Sequence, residues 1–307
     1  LGVIAIISPW NYPFQLSLSP TIGALAAGNR VLIKPSEKTP NFSELLKSLV
    51  SEYFDATVLT VVVGDGKLAE KISSNKSLDH IFFTGSGQVG KKVATSAGLN
   101  LVPVTLELGG KSPVFISESS NLDYALKRIV GSKLLNAGQT CVAPDYLMLH
   151  TKHKPKFLKK YFEIVNNFYP KINLNNDYTS IIDKESFYRL SDLVFDAVKK
   201  NYEVYSVDPN SGNYKKLNNI DLDNDFLNYD NLTARFPPII ILNSDDSLLS
   251  MKNEIFGPIL PVIYVTSHLE AIDYVNSREN PLALYVFGNN NLELKNWKEK
   301  TLSGGIT

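Results

Sequence analysis

Residues 80–90, His-Ile-Phe-Phe-Thr-Gly-Ser-Gly-Gln-Val-Gly, decide the predicted fold of this chain. The first five, with three apolar residues at their centre, are typical of a buried strand, and the last six match the pattern G-x-G-x-x-G. A helix is predicted to follow over Val89–Ala97. A strand, a glycine-rich turn and a helix in this order present backbone amides to a phosphate, so the segment favours a nucleotide site over a plain tight turn. The residues of this candidate site are Gly85, Ser86, Gly87, Val89 and Gly90.

The first part of the chain alternates short β-branched runs with helical stretches, which predicts parallel β-α-β units. The predicted strands are Val3–Ser8, Arg30–Lys34, Val58–Val63, His80–Thr84 and Val102–Leu106. We therefore expect an α/β protein whose residues 1–109 form a doubly wound, Rossmann-like cofactor domain. A second α/β domain, catalytic in function, is expected over residues 110–307.

The second part also mixes helices and strands. Helices are predicted near Leu122–Leu135, Lys154–Phe168 and Lys184–Lys199, and strands near Tyr146–His150, Ile239–Leu242, Pro261–Val265 and Leu284–Phe287. Ser206–Asp230 is rich in Asn, Asp and Lys and has no periodicity, which predicts an exposed loop or insertion.

Composition excludes several classes of partner. The chain has 31 Lys plus Arg and 31 Asp plus Glu, so its balanced charge gives no reason to expect nucleic acid as a partner. Its single cysteine cannot form an internal disulfide. No apolar run approaches the roughly 18 residues of a membrane-spanning helix. The absence of a starting Met leads us to expect a fragment of a longer protein.

Cys141 lies in the segment Asn-Ala-Gly-Gln-Thr-Cys-Val-Ala-Pro, residues 136–144. A lone cysteine is usually buried and inert. Here glycine, proline and small polar residues surround it, which favours a loop that exposes the thiol. A nucleophilic cysteine would further need donors or positive charge nearby to form the thiolate.

Asn11 and Glu107 are two further candidates. Asn11 lies between Pro9 and Pro13, where it is either an ordinary turn residue or a rigidly held amide donor for an oxyanion. Glu107 ends a predicted strand between two leucines; if buried, its pKa would rise towards the range of a general base. It is also 22 residues after Gly85, where the glycine pattern alone would make it a ribose ligand. The four histidines are scattered, so no metal site is expected.

Together these segments resemble the aldehyde dehydrogenase superfamily from Ile4 to Thr307. The resemblance implies that Asn11 binds the oxyanion, that Glu107 is the general base and that Cys141 is the nucleophile. It also implies that Lys34 and Glu37 contact the adenosine ribose, that Glu254 holds the nicotinamide ribose, and that Phe256 lies beside the nicotinamide ring. Glu107 is then a base rather than a ribose ligand.

Within the superfamily, residues 138–146 and the closing Ser303-Gly304-Gly305 resemble the class 3, fatty-aldehyde branch, from which the length of Ser206–Asp230 departs. The resemblance implies NAD-dependent oxidation of a medium- or long-chain aliphatic aldehyde to the acid, with NADP as the other cofactor. It further implies a homodimer and an intracellular location, cytoplasmic or at an organelle membrane through a C-terminal anchor outside this sequence.

Two alternatives stay open. A CoA-acylating semialdehyde dehydrogenase would release the acyl group to CoA, although such relatives typically lack a glutamate where this chain has Glu107. A catalytically silent homologue would not need Asn11, Glu107 and Cys141 together.

Overall fold

A computed structural model describes residues 1–208, 213–218 and 233–307. The chain divides into two compact units, Leu1–Gly109 and Gly110–Thr307. Each unit has its own sheet and its own buried apolar residues, and each is described by itself below. Among these residues, no helix is long and apolar enough to cross a membrane.

The first unit contains a five-stranded sheet in the order β3-β2-β1-β4-β5, and all of its neighbouring strands are parallel. This order confirms the predicted doubly wound sheet, because the chain adds strands first on one side of β1 and then on the other. The strands are β1 (Val3–Ile7), β2 (Arg30–Lys34), β3 (Leu59–Val61), β4 (His80–Gly85) and β5 (Val104–Leu108). The helices are α1 (Pro13–Ala26), α2 (Pro40–Tyr53), α3 (Gly66–Ser73) and α4 (Gly87–Gly98).

Helices cover both faces of this sheet. Successive residues of a strand point to opposite faces, so neighbouring residues of one strand contact different helices. In β1, Ala5 and Ile7 join the apolar cluster that includes Val93 of α4, whereas Ile6 joins the cluster that includes Leu46 of α2. Both faces are therefore apolar, which explains why these strands appear in the sequence as continuous apolar runs.

The second unit contains an eight-stranded mixed sheet in the order β13-β12-β6-β7-β11-β10-β8-β9. Only the pairs β8–β9 and β8–β10 are antiparallel among the described strands. The strands are β6 (Pro113–Ile116), β7 (Tyr146–His150), β8 (Glu203–Val207), β9 (Tyr214–Lys216), β10 (Ile239–Leu242), β11 (Ile259–Val265), β12 (Ala283–Phe287) and β13 (Gly305–Ile306). The α-helices are α5 (Leu122–Leu134), α6 (Lys154–Phe168), α7 (Lys184–Lys199), α8 (Leu249–Lys252), α9 (His268–Asn276) and α10 (Asn291–Lys300), and short 3-10 turns cover Leu135–Gly138, Thr151–His153 and Ile172–Leu174.

Several of these elements do not follow from the sequence patterns. β6 is four residues long and begins with a proline, which is tolerated at the first position of a strand. α10 is mostly polar and buries only Trp297 among its residues. The predicted loop at Ser206–Asp230 is wrong in part, since residues 206–207 end β8 and β9 pairs with that strand. Residues 209–212 and 219–232 of that region lie outside the described residues.

Candidate active site

In the first unit, the candidate residues lie where the parallel strands end. Ile7 of β1 is paired with Lys34 of β2 and with Phe83 of β4, and Thr84 is paired with Glu107 of β5. The carboxyl ends of these strands therefore share one edge of the sheet, which is where doubly wound sheets bind their ligands.

Asn11 lies in the turn that joins β1 to α1, and its side chain is half-buried. The turn is held at its start, because the Ser8 N–H donates to the Lys34 carbonyl at 3.1 Å and the Ser8 hydroxyl lies 2.7 Å from that of Ser17. α1 then begins at Pro13, whose fixed φ suits the first position of a helix. The amide of Asn11 is thus carried by a short, fixed turn at this edge.

Lys34 and Glu37 form an ion pair at the end of β2. Lys34 is only 4% exposed, and its Nζ lies 2.7 Å from Oε2 of Glu37, which is 50% exposed. Burial by itself raises the pKa of Glu37, but the hydrogen bond from Lys34 and the charge of Lys34 hold this pKa below its ordinary value. The carboxylate stays ionised and open to solvent, so it can accept hydrogen bonds from ribose hydroxyls.

The glycine-rich turn joins β4 to α4. α4 starts at Gly87, two residues before the predicted start, with Ser86 as its N-cap accepting from the Val89 N–H at 3.4 Å. A Cβ on Gly90 would lie 2.6 Å from Leu108 Cδ2, so this glycine allows α4 to pack closely on β5, whereas a Cβ on Gly87 would meet open space. A helix N-terminus with open space beside its first glycine fits the pyrophosphate of a dinucleotide.

Glu107 lies within β5, not at its end, and its side chain is exposed. The burial that its two leucine neighbours suggested is therefore absent, and the carboxyl group faces solvent. In the pairing of β4 with β5, Glu107 is opposite Thr84, the residue that precedes the glycine-rich turn.

In the second unit, Cys141 lies on the loop between α5 and β7, and its side chain is partly exposed. Before it, Asn136, Ala137 and Gly138 have positive φ angles of 51°, 51° and 75°. Left-handed backbone is strained for alanine and persists only where surrounding contacts fix it. One such contact is direct, since a Cβ on Gly138 would overlap the backbone of Gly257.

Gln139 anchors the same loop through both the nitrogen and the oxygen of its side-chain amide. Its Nε2 donates to the carbonyls of Ser180 and Asn136, each at 3.0 Å, and its Oε1 accepts from the Ile182 N–H at 3.0 Å. Gln139 is 2% exposed, so these bonds are made away from water, where their loss is costly.

Asp145 and Lys111 tie the cysteine loop to residues 250–255. Oδ2 of Asp145 accepts from the Ile255 N–H at 2.9 Å, and its other oxygen pairs with Lys111. The Lys111 Nζ also donates to the carbonyls of Ser250 and Asn253, at 2.7 and 3.0 Å. The segment that carries Glu254 is thereby fixed against the segment that carries Cys141.

Glu254 accepts a hydrogen bond from the Gly110 N–H at 3.1 Å. Burial, reinforced by the charge of Asp145, raises the pKa of Glu254 to about 7, against the opposing effects of Gly110, Lys111 and Arg189. Phe256, two residues later, has a φ of 47°, a strained conformation for an aromatic residue. The structure thus brings Glu254 and Phe256 together with the Cys141 loop.

Lys133 is a buried charge that sequence reasoning missed. It is 1% exposed near the end of α5, and burial lowers its pKa to about 8, with Asp145 opposing that effect. Its spacing from Leu126 and Val130 puts it on the apolar face of the helix, and this spacing could have predicted its burial from the sequence.

In the part of the chain that the structure describes, no group of three His, Cys, Asp or Glu side chains is placed to hold a metal ion. His80 contacts Thr105, and His153 contacts the Ser117 carbonyl.

The fold and these candidate residues define a dinucleotide-type α/β unit followed by a unit that presents a cysteine. The model of the aldehyde dehydrogenase family matches residues 1–307, and the chain belongs to this family, as the sequence predicted.

Curated relatives include coniferyl aldehyde dehydrogenase of a Pseudomonas species, 40% identical over all of this chain and 60% of the relative. Two relatives come from Mus musculus: aldehyde dehydrogenase family 3 member A2, 39% identical over all of this chain and 58% of the relative, and a dimeric NADP-preferring aldehyde dehydrogenase, 38% identical over all of this chain and 62% of the relative. The family 3 relatives agree with the predicted similarity to the class 3 branch.

A solved structure of AldH from Staphylococcus aureus in a substrate-bound state superimposes with a TM-score of 0.88 at 36% identity, covering all of this chain and 62% of that chain. The chain therefore spans about 60% of the length of the curated relatives it matches.

Proposed function

We propose that the protein oxidises an aldehyde to a carboxylic acid through a covalent intermediate on Cys141, with NAD or NADP as cofactor. The observation that carries this proposal is the loop of Cys141, a partly exposed thiol on a strained segment that Gln139 and Asp145 fix on either side. Strain held in place by surrounding contacts is typical of functional sites and is not needed by an inert cysteine.

In this reaction, each of the three candidate catalytic residues has a defined role. The Cys141 thiolate attacks the aldehyde carbon to give a thiohemiacetal, whose oxyanion accepts hydrogen bonds from the side-chain amide of Asn11 and from the Cys141 N–H. Loss of hydride from that carbon leaves a thioester. Glu107 takes a proton from water, and the resulting hydroxide hydrolyses the thioester to the acid and restores the thiol.

A bound nicotinamide dinucleotide would supply the hydride acceptor. Gly85, Ser86, Gly87, Val89 and Gly90 would hold its pyrophosphate. Lys34 and Glu37 would hold the adenosine ribose, and Glu254 and Phe256 the nicotinamide end. The exposed carboxylate of Glu37 would repel a 2′-phosphate, which favours NAD. Similarity to the NADP-preferring mouse relative is an argument for NADP instead. The ratio of kcat/KM for the two cofactors decides between them.

An apolar aldehyde is the proposed substrate. Val142, next to the thiol, is 40% exposed, and Leu135 at the start of the loop is 56% exposed, so apolar surface is available near the nucleophile. We propose a medium- or long-chain aliphatic aldehyde. The name of the Pseudomonas relative supports an aromatic aldehyde as the second candidate. NADH production by the full-length protein over an aliphatic chain-length series and with coniferyl aldehyde distinguishes them.

The covalent route is tested by Cys141→Ala in the full-length protein. We expect the variant to lose aldehyde oxidation and to keep dinucleotide binding, measured by fluorescence titration, because the cofactor residues are unchanged. Aldehyde oxidation that survives in Cys141→Ala excludes the route. Adding CoA and looking for an acyl-CoA product tests the CoA-acylating alternative, and absence of turnover in the wild-type protein would favour the silent homologue.

The remaining proposals concern the whole protein. We propose a homodimer, for which light scattering gives the mass. We also propose an intracellular location, cytoplasmic or at an organelle membrane through a C-terminal segment outside this sequence, which fractionation of cells expressing the full-length protein tests.

A further inference from the structure

Tyr285 projects from β12 to the turn that contains Cys141. Its hydroxyl donates to the carbonyl oxygen of Val142 at 2.6 Å, and the two residues are 143 positions apart in the sequence. Within the turn, the Ala143 N–H donates to the Thr140 carbonyl at 3.0 Å. Cys141 and Val142 are therefore the two central residues of a β-turn.

The hydrogen bond from Tyr285 completes the peptide group that joins Val142 to Ala143. The N–H of this peptide closes the turn onto Thr140, and its carbonyl receives the phenol. With both polar groups held, this peptide cannot rotate without breaking a hydrogen bond, so the backbone of the turn through Cys141 and Val142 is restrained at its far end.

The phenol remains a donor at the pH of any ordinary assay. Burial raises the pKa of Tyr285, and the charge of the Cys141 thiolate raises it further, so the hydroxyl stays protonated.

We propose that Tyr285 is a positioning residue for the Cys141 nucleophile, acting through the carbonyl of Val142. The proposal rests on the proposed function, since it assigns Tyr285 a role only if Cys141 is the reacting group. It differs from the anchoring by Gln139 and Asp145, because Tyr285 holds a peptide within the turn itself, at the carbonyl of the residue that follows Cys141.

Loss of the hydroxyl has two expected effects. The turn loses one fixed peptide, so that the backbone that carries the thiol is less restrained. Without the phenol, no donor offsets the partial negative charge of the Val142 carbonyl oxygen, and this charge disfavours a thiolate at Cys141. The thiol should then ionise at higher pH.

The experiment measures alkylation of the full-length wild-type protein and of Tyr285→Phe by iodoacetamide as a function of pH. Peptide mapping follows the modification of Cys141, which is the single cysteine of these 307 residues. We expect the alkylation midpoint of Tyr285→Phe to move to higher pH, and the rate at pH 7 to fall roughly threefold. We also expect the first-turnover NADH burst to slow by about five- to tenfold, with the KM for the dinucleotide changed less than about twofold.

Tyr178→Phe is the matched control. Tyr178 also donates its hydroxyl to a backbone carbonyl, that of Phe236 at 2.8 Å, and neither residue belongs to the turn of residues 140–143. Tyr178→Phe should lose at least as much thermal stability as Tyr285→Phe, because its hydrogen bond is buried, but it should alkylate as the wild type does.

Two results would overturn the proposal: an unchanged alkylation profile in Tyr285→Phe, or equal changes in both variants. Alkylation needs neither aldehyde nor dinucleotide. If aldehyde oxidation is absent or survives in Cys141→Ala, the proposed function fails, whereas the alkylation profile still decides whether Tyr285 positions the thiol.

Discussion

Replacing Glu254 by glutamine should stabilise the protein at neutral and higher pH while weakening its use of the dinucleotide. The side chains have the same shape, and the amide oxygen of glutamine can accept the hydrogen bond that the Gly110 N–H now gives to Glu254. The change therefore removes a negative charge and little else. Burial makes that charge costly, which is why the pKa of Glu254 rises to about 7.

The sign and size of the effect follow from this pKa. Below pH 4.5, the ordinary value for the residue, the carboxyl group is protonated in both the folded and the unfolded protein and costs nothing. Between 4.5 and about 7 the unfolded chain ionises first, so the wild-type protein loses stability as pH rises. Above that range the loss is complete, and it corresponds to about 3 kcal/mol. Because solvent reaches part of the side chain, we expect about 2 kcal/mol.

Thermal unfolding at pH 4 to 8 measures this difference. Glu254→Gln should melt close to the wild type at pH 4 and about 4–8 °C higher at pH 8. Glu163→Gln is the control, because Glu163 is 56% exposed in an ion pair on α6 and its replacement should change stability by less than about 0.5 kcal/mol at every pH. A difference between Glu254→Gln and wild type that is the same at pH 4 and pH 8 would refute the reasoning.

Four further predictions concern the other candidate residues. Asn11→Ala should lower kcat by about 10²–10³, as for other lost oxyanion donors, and a near-normal kcat would remove Asn11 from the site. Glu107→Gln should give one NADH burst and then stall at the thioester, whereas full turnover would exclude Glu107 as the base. Glu37→Ser should shift the ratio of kcat/KM towards NADP, and an unchanged ratio would count against ribose binding by Glu37. Gln139→Glu should destabilise the protein by roughly 2–4 kcal/mol, because a carboxylate would face two carbonyl oxygens; a melting temperature equal to that of wild type would contradict this.

Local pattern was sufficient for most of the fold. Arg30–Lys34 and Tyr146–His150 begin and end where the sequence predicted, as do the helices Lys154–Phe168 and Lys184–Lys199. The two strands are continuous apolar runs, and the two helices have a clear apolar period. β6 and α10 were missed, since one is very short and the other buries a single side chain.

The sequence by itself determined the strand-turn-helix at residues 80–98, the family and the identity of the lone thiol, because these depend on which residue types stand in each motif and not on how distant segments pack. Only the tertiary structure decided what surrounds Cys141 and Glu254. The Gly110–Glu254 and Tyr285–Val142 hydrogen bonds join residues 144 and 143 positions apart, and no local pattern encodes such pairs. The burial that shifts the pKa of Glu254 and of Lys133 likewise arises only when distant segments pack together.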